Sequence, residues 1–170
     1  MKEKRGKEGG HMIYGWIIGG LAALDLGIKS VIESEEDDTF PRDLPSAKGL
    51  IKVHKNHNAG FPFGFMKERP ELVKGIPLMV ISAMAGALCA LLQDKGKTAQ
   101  KAGIAIIIGG ALSNLYDRVV RGYVVDYFSI EWEPIKKVVF NLGDMFVFLG
   151  STIIMLEQTA KSLAEVRKKK

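Results

Sequence analysis

Four apolar stretches, separated by clustered charge, decide what this chain can fold into. They cover residues 12–32, 75–92, 102–116 and 138–156. A bilayer core takes roughly 20 apolar residues per helix. The second stretch carries no charge and the fourth only Asp144, so both can span unaided. The first contains Asp25 and Lys29, and the third ends at Asp117. These two span only if their polar residues face protein or the interface. Buried helices of a water-soluble bundle are the competing reading, and they need polar stripes of period 3.6. Residues 78–92 and 104–112 show almost none. The expectation is an all-α membrane protein: a four-transmembrane-helix bundle with spans at about 12–32, 75–92, 102–120 and 138–157. It forms one domain over 12–157, between a basic segment over 1–11 and a basic tail over 158–170.

Composition matters here for what it conceals. Charged residues are 25% of the chain and apolar ones 47%, an average that would suit a soluble protein. The net charge of +5 is concentrated at Lys2, Lys4, Arg5, Lys7 and the tail from Arg167 to Lys170. These read as juxtamembrane anchors on the cytoplasmic face. No stacking aromatics accompany them, so membrane lipid is the expected partner and nucleic acid is not. The basic start before an apolar run also fits a cleaved signal peptide. The run continues past Asp25 to Ile32 and three more follow, which favours an uncleaved first helix. Cys89 lies in the second stretch and reads as a small packing residue. His54 and His57 have no carboxylate at a ligand spacing and read as solvated loop residues, with no metal site.

Four spans put both ends on one side. The basic residues divide almost evenly between the two sides. The inner segments are short and mostly basic, whereas the first outer loop is long and also carries Glu33, Glu35, Glu36, Asp37, Asp38 and Asp43. Both termini are therefore expected in the cytoplasm. The loop over 33–74 is long enough to fold. Ile51 and Val53 alternate with polar neighbours, as do Phe128, Ile130 and Trp132, so one strand is expected near 51 and a second starting at Val124. Tyr127, Phe128 and Trp132 suit the outer headgroup zone, and Tyr14 and Trp16 the inner one.

The polar residues meet at one end of such a bundle. Asp25 lies in the distal half of the first helix. Asn114, Asp117 and Arg118 end the third, Asp126 follows in the distal loop, and Asn141 and Asp144 come one to two turns into the fourth. Asn58 is in the distal loop too. Asn114–Asp117 and Asn141–Asp144 are spaced i, i+3, and Asp25–Lys29 and Asn114–Arg118 i, i+4, so each pair shares a helix face. For Asp25–Lys29 and Asp117–Arg118 an ion pair that glues the bundle is as good an account as a direct role. Asp126 and Asp144 have no basic residue one turn away. Two carboxylates facing each other in a low-dielectric site share one proton. One then takes a proton from water while the other donates to a scissile carbonyl, which is general acid–base proteolysis without a covalent intermediate. Asn114 and Asn141 could hold this pair. A small proton-coupled transporter or binding protein also places Asp and Asn in a membrane, but usually with inverted repeats and polar residues at the midplane. A catalytically silent membrane scaffold is a third class, in which Asp126→Asn would be harmless.

The segments "GGALSNLYDRVVRGYVVDYF" (109–128) and "FNLGDMFVFLG" (140–150) resemble the two signature blocks of the signal peptidase II family. "LDLGIK" (24–29) is similar to its first-helix block and "HNAGFPFGF" (57–65) to its first-loop block. The resemblance covers about residues 13–157. It implies a four-helix bundle with a small extracytoplasmic β element, in a bacterial cytoplasmic membrane, with the active site near the outer face. The implied activity is cleavage of prolipoproteins just before a diacylglyceryl-modified cysteine, by a monomer with no cofactor or metal. The family's catalytic pair falls on Asp126 and Asp144, and its other motif residues on Asp25, Asn58, Asn114, Asp117, Arg118 and Asn141. Departures are Leu26 for a common Gln, Ile28 for a common Thr, the bulky Gly60-Phe61-Pro62-Phe63, and Gly143 for a usual Ala, read as a small change.

Overall fold

A computed structural model describes residues 2–61, 64–94 and 96–168, with the side chains of 2–10 excepted. Pro62 and Phe63 of the bulky loop, Lys95, Lys169 and Lys170 lie outside the described residues, and so do the side chains of Lys2, Lys4, Arg5 and Lys7. Four long helices are present: α1 (Lys2–Ser34), α2 (Pro70–Leu92), α3 (Thr98–Val120) and α4 (Leu142–Lys168). Between them run four short strands: β1 (Arg42–Asp43), β2 (Ile51–Asn58), β3 (Val124–Ile130) and β4 (Val139–Phe140). The strands form one antiparallel sheet in chain order. Among the described residues, three helical segments are long and apolar enough to cross a membrane: His11–Ser34, Pro70–Leu92 and Thr98–Val120. The fourth helix is not one of them. It begins only at Leu142, without the apolar residues 138–140, and Asp144, Glu157 and Gln158 fall within its first 18 residues.

The third helix is the axis of the bundle and touches each of the other three. Beside the core residues Ile104, Ile108 and Leu115, it buries small and polar ones: Gly103, Ala105, Gly109, Gly110, Ser113, Asn114 and Asp117. Small residues let helix backbones approach closely in lipid, where apolar burial drives nothing. The contact between α3 and α4 uses this directly. A methyl group at Gly143 would meet Gly110 O at 2.8 Å, Ser113 Oγ at 2.8 Å and Asn141 Oδ1 at 2.9 Å. The reading of Gly143 as a small change is thereby corrected, since alanine fits only if the helices shift. The second helix buries just Val73, Ile81 and Leu88, a narrow stripe spaced two turns apart.

The apolar side chains point outward. Trp16, Leu24, Val31, Leu78, Met79, Val80, Val119 and Phe148 are all exposed. Asp25, Lys29, Ser113, Asn114, Asp117, Asp126, Ser129 and Asn141 are buried. Water would penalise so large an apolar surface; hydrocarbon does not. Cys89 is exposed as well, so it packs nothing inside the bundle. Tyr14 and Tyr127, expected in the headgroup zones, are buried against the fold. Trp16 and Trp132 are exposed.

The sheet starts where the alternation predicts it, near Ile51 and at Val124. It extends further than the pattern shows, because β2 runs on through the basic stretch to Asn58. Pairing sets Asn56 opposite Asp126 and Asn58 opposite Val124, with an irregularity between Val53 and Asn56. His54 and His57 are accordingly strand residues and not loop residues, and His57 is exposed as expected. His54 Nε2 lies 2.8 Å from the Ser129 hydroxyl. His57 Nε2 lies 2.7 Å from Glu33 Oε1, and its ring stacks on Tyr123. Surface ties fasten the sheet to the segment after α1: Lys55 Nζ donates to Glu35 O at 2.8 Å and pairs with Asp37 at 2.7 Å.

Candidate active site

The geometry grows from one turn of helix. Asn141 immediately precedes α4, and Asp144 is its third residue. Asp144 N–H donates to Asn141 Oδ1 at 2.9 Å, and Asn141 N–H donates to Asp144 Oδ2 at 3.2 Å. This is a reciprocal cap: two backbone donors that a helix start leaves open are each met by a side chain. Residues 138–140 were expected to be helical. Val138 follows a turn and residues 139–140 form β4 instead, so Asp144 sits in the first turn of α4, not one to two turns in. The side-chain amide of Asn141 has one further arm, and its Nδ2 donates to Asp126 Oδ1 at 2.7 Å. One asparagine thus links both carboxylates.

Asp126 comes from the third residue of β3 and is 5% exposed. Asn58, at the end of the neighbouring β2, donates Nδ2 to Asp126 Oδ2 at 3.3 Å, while its own Oδ1 accepts from Gly60 N–H at 3.1 Å. Burial pushes the Asp126 carboxyl up to about 6, the charge of Asp144 pushes the same way, and the Asn141 and Asn58 hydrogen bonds pull it back. On the other side, Asn114 Nδ2 donates to Asp144 Oδ1 at 2.9 Å.

Arg118 is the half-free cation of the site. Its guanidinium donates to Asn114 O and Gly60 O, both at 3.3 Å, and sits 5.7 Å from the Phe61 ring centroid. Its Nε is buried without a partner. The suggested Asp117–Arg118 pair does not form. Asp117 pairs with Arg121 at 2.7 Å and with Lys29 at 3.0 Å, and its Oδ2 accepts from Val125 N–H at 3.2 Å.

Asp25 is fully buried. It pairs with Lys29 at 2.8 Å as the i, i+4 spacing indicates. It also accepts from Tyr127 OH at 2.9 Å and from Leu142 N–H at 3.1 Å. All eight residues singled out from the sequence therefore meet in one connected cluster. Lys29, named from the sequence only as the ion-pair partner of Asp25, also belongs to it, and two members escaped that reading: Ser113 and Tyr127. A lysine inside an apolar stretch was a usable signal. A serine in a span and a tyrosine near a headgroup zone were not. Among the described residues, no three His, Cys, Asp or Glu side chains converge to hold a metal ion.

Residues 17–160 match the family described as Signal peptidase (SPase) II. This chain belongs to the signal peptidase II family. Lipoprotein signal peptidases are its relatives. That of Neisseria meningitidis serogroup B is 34% identical over 115 residues, covering 67% of this chain and 68% of the relative. That of Brucella ovis is 30% identical over 141 residues, covering 79% and 82%. The match to the Aeromonas hydrophila enzyme is 34% identical over 103 residues and spans 62% of that enzyme's length and 59% of this chain. A bacterial membrane enzyme solved by the in meso method at 2.3 Å shares the fold, with a TM-score of 0.74 at 18% identity, over 88% of this chain and 89% of that one. A second, solved at 1.9 Å, gives a TM-score of 0.69 over 86% and 92%.

Proposed function

We propose that the chain is an intramembrane aspartic endopeptidase of a bacterial cytoplasmic membrane. It removes signal peptides from diacylglyceryl-modified prolipoproteins by cleaving before the lipidated cysteine. Asp126 and Asp144 are the catalytic pair. All four helices span, both termini are cytoplasmic, the site lies near the outer face, and the enzyme acts as a monomer. The observation that carries this reading is Asn141, whose one side chain binds Asp126 through Nδ2 and caps the turn bearing Asp144 through Oδ1.

The chemistry follows from the environment of Asp126. A carboxyl with its pKa near 6 holds its proton in mildly acidic conditions and can donate it to the scissile carbonyl oxygen. Asp144, which faces N–H donors from Asn114 and Asn141, is the member that accepts a proton from water. Hydroxide adds to the carbonyl carbon to give a gem-diol, the C–N bond then breaks as the leaving amine takes up the proton held by Asp144, and a gem-diol hydroxyl returns its proton to Asp126. Arg118, with a spare N–H, supplies a donor for substrate carbonyl groups. The location suits the substrate: the scissile bond meets water at the polar cluster while the acyl chains stay among the outward apolar faces.

The test is a gel-shift cleavage assay with purified protein in detergent and a diacylglyceryl-modified prolipoprotein. Wild type is expected to cleave it and to leave the unlipidated form intact. Asp126→Asn and Asp144→Asn are each expected to lose at least about 10³-fold in kcat. Cleavage by either variant would mean the pair is misassigned. No cleavage by folded wild type would move the chain to the transport or scaffold class. The basic limb of kcat/KM is expected to follow an ionisation near 6, because Asp126 loses its donor proton as pH rises through that value.

A further inference from the structure

A single ammonium group lies behind the two carboxylates and touches neither. Lys29 is completely buried. Its Nζ lies 2.7 Å from Asn114 Oδ1, 2.8 Å from Asp25 Oδ2 and 3.0 Å from Asp117 Oδ2, with Ser113 Oγ further off at 3.4 Å. Its three protons are matched by the three near acceptors. Ser113 Oγ in turn donates to Asp25 Oδ2. Counting Arg121 on Asp117, two cations balance two carboxylates. Replacing such a buried pair with apolar side chains is often neutral or stabilising, so stability alone gives no reason for a lysine here.

Each of the three partners leads to the site. Asp117 accepts from the N–H of Val125, the residue before Asp126. Asp25 accepts from Tyr127, the residue after it, and from Leu142 N–H, two residues before Asp144. Asn114 touches Asp144 itself. The Asn114 contact has a direction imposed on it. An ammonium group only donates, so Asn114 must turn its oxygen toward Lys29. Its NH2 then faces Asp144, where it favours the charged carboxylate.

We propose that Lys29 is a positioning residue that sets the sense of the Asn114 amide, so that Asp144 always meets a donor and stays the proton-accepting member of the pair. The inference rests on the protease reading for its catalytic meaning, though the geometry of Lys29 does not. The groups facing Asp144 are Asn114 and Arg118 from α3, Asp126 from β3, Asn141 ahead of α4, and, beyond Asn114, Lys29 and Asp25 from α1. Without Lys29 the Asn114 amide can turn over and offer its oxygen to a protonated Asp144. The pair then binds its protons more tightly.

The full-length protein in detergent provides the test, with two readouts. Infrared difference spectroscopy follows carboxyl titration without substrate, using Asp144→Asn to assign the band. The pH profile of prolipoprotein cleavage follows function. The charge-compensated variant Lys29→Met/Asp25→Asn keeps an oxygen for Tyr127 and Leu142 N–H and leaves Asp117 paired with Arg121. Asn114→Ala removes the relay and leaves Lys29 its two carboxylates. Both are expected to raise the titration of Asp144, and the acidic limb of kcat/KM, by about one to two pH units, with KM within about threefold of wild type. A folded double variant titrating like wild type overturns the proposal. If the double variant does not fold, Asn114→Ala decides alone, and an unshifted titration there overturns it equally. Wild type that fails to cleave while the titration shifts sinks the protease reading and leaves the positioning role standing.

Discussion

At the scale of single residues, the proposed chemistry and the stability of the fold pull against each other at Asp126. Burial comes first among the causes that raise its carboxyl from 3.8 to about 6, and the charge of Asp144 comes next. The folded protein therefore binds a proton more tightly than the unfolded chain. Stability from this group is full below about 3.8 and is lost as pH rises through about 6, by at most about 3 kcal/mol. Asp126→Asn removes the charge and spoils one of the two hydrogen bonds from Asn58 and Asn141, worth about 1 kcal/mol. The variant is expected to melt at or above wild type at pH 8 and below it at pH 4. Thermal unfolding in detergent at both values checks this, and a difference that does not change with pH would show that Asp126 is not held near 6.

Among elements, the start of α4 carries two separable duties. Its cap needs only an oxygen at position 141, whereas the link to Asp126 needs the amide NH2. Asn141→Ser retains a capping oxygen and loses the link. It is expected to stay within about 1 kcal/mol of wild type in stability while losing most of kcat. Asn141→Ala loses both and is expected to cost about 1–2 kcal/mol. Equal activity of Asn141→Ser and wild type would break the case for the linking amide. The close approach of α3 and α4 makes its own prediction. Gly143→Ala places a methyl against Gly110 O and Asn141 Oδ1, and overpacking of this kind costs about 1–3 kcal/mol. A lowered melting temperature together with reduced cleavage is expected, since the displaced residue adjoins Asp144.

For the whole molecule, the distribution of side chains is inverted relative to a water-soluble bundle, with the polar cluster inside and apolar faces outside. Its proposed orientation can be read by single-cysteine labelling in a Cys89→Ala background, because Cys89 is exposed on α2. Cysteines at Thr39 and Lys137 are expected to react with an impermeant maleimide on intact spheroplasts. One at Leu163 is expected to react only after permeabilisation. Labelling of all three from one side would exclude an odd number of crossings between the sheet and the tail, and with it a spanning α4.

The sequence by itself determined the apolar stretches, the approximate starts of β2 and β3, and the convergence of eight polar residues at one end. Those follow from composition and from spacing along one helix or strand, which the chain carries locally. Partner choice was another matter. Asp117 turned to Lys29 and Arg121 instead of its neighbour Arg118 because α1 delivers an ammonium there. His54 and His57 became strand residues because β3 offered a pairing edge, and Tyr127 was drawn inward by Asp25. The first turn of α4 moved to Leu142 because Phe140 and Val139 pair with Phe128 and Ser129. Apart from the local Asp117–Arg121 pair, the deciding energy is a hydrogen bond or ion pair between different elements of the fold. Only tertiary structure brings such groups within 3 Å, and once buried there they must be satisfied.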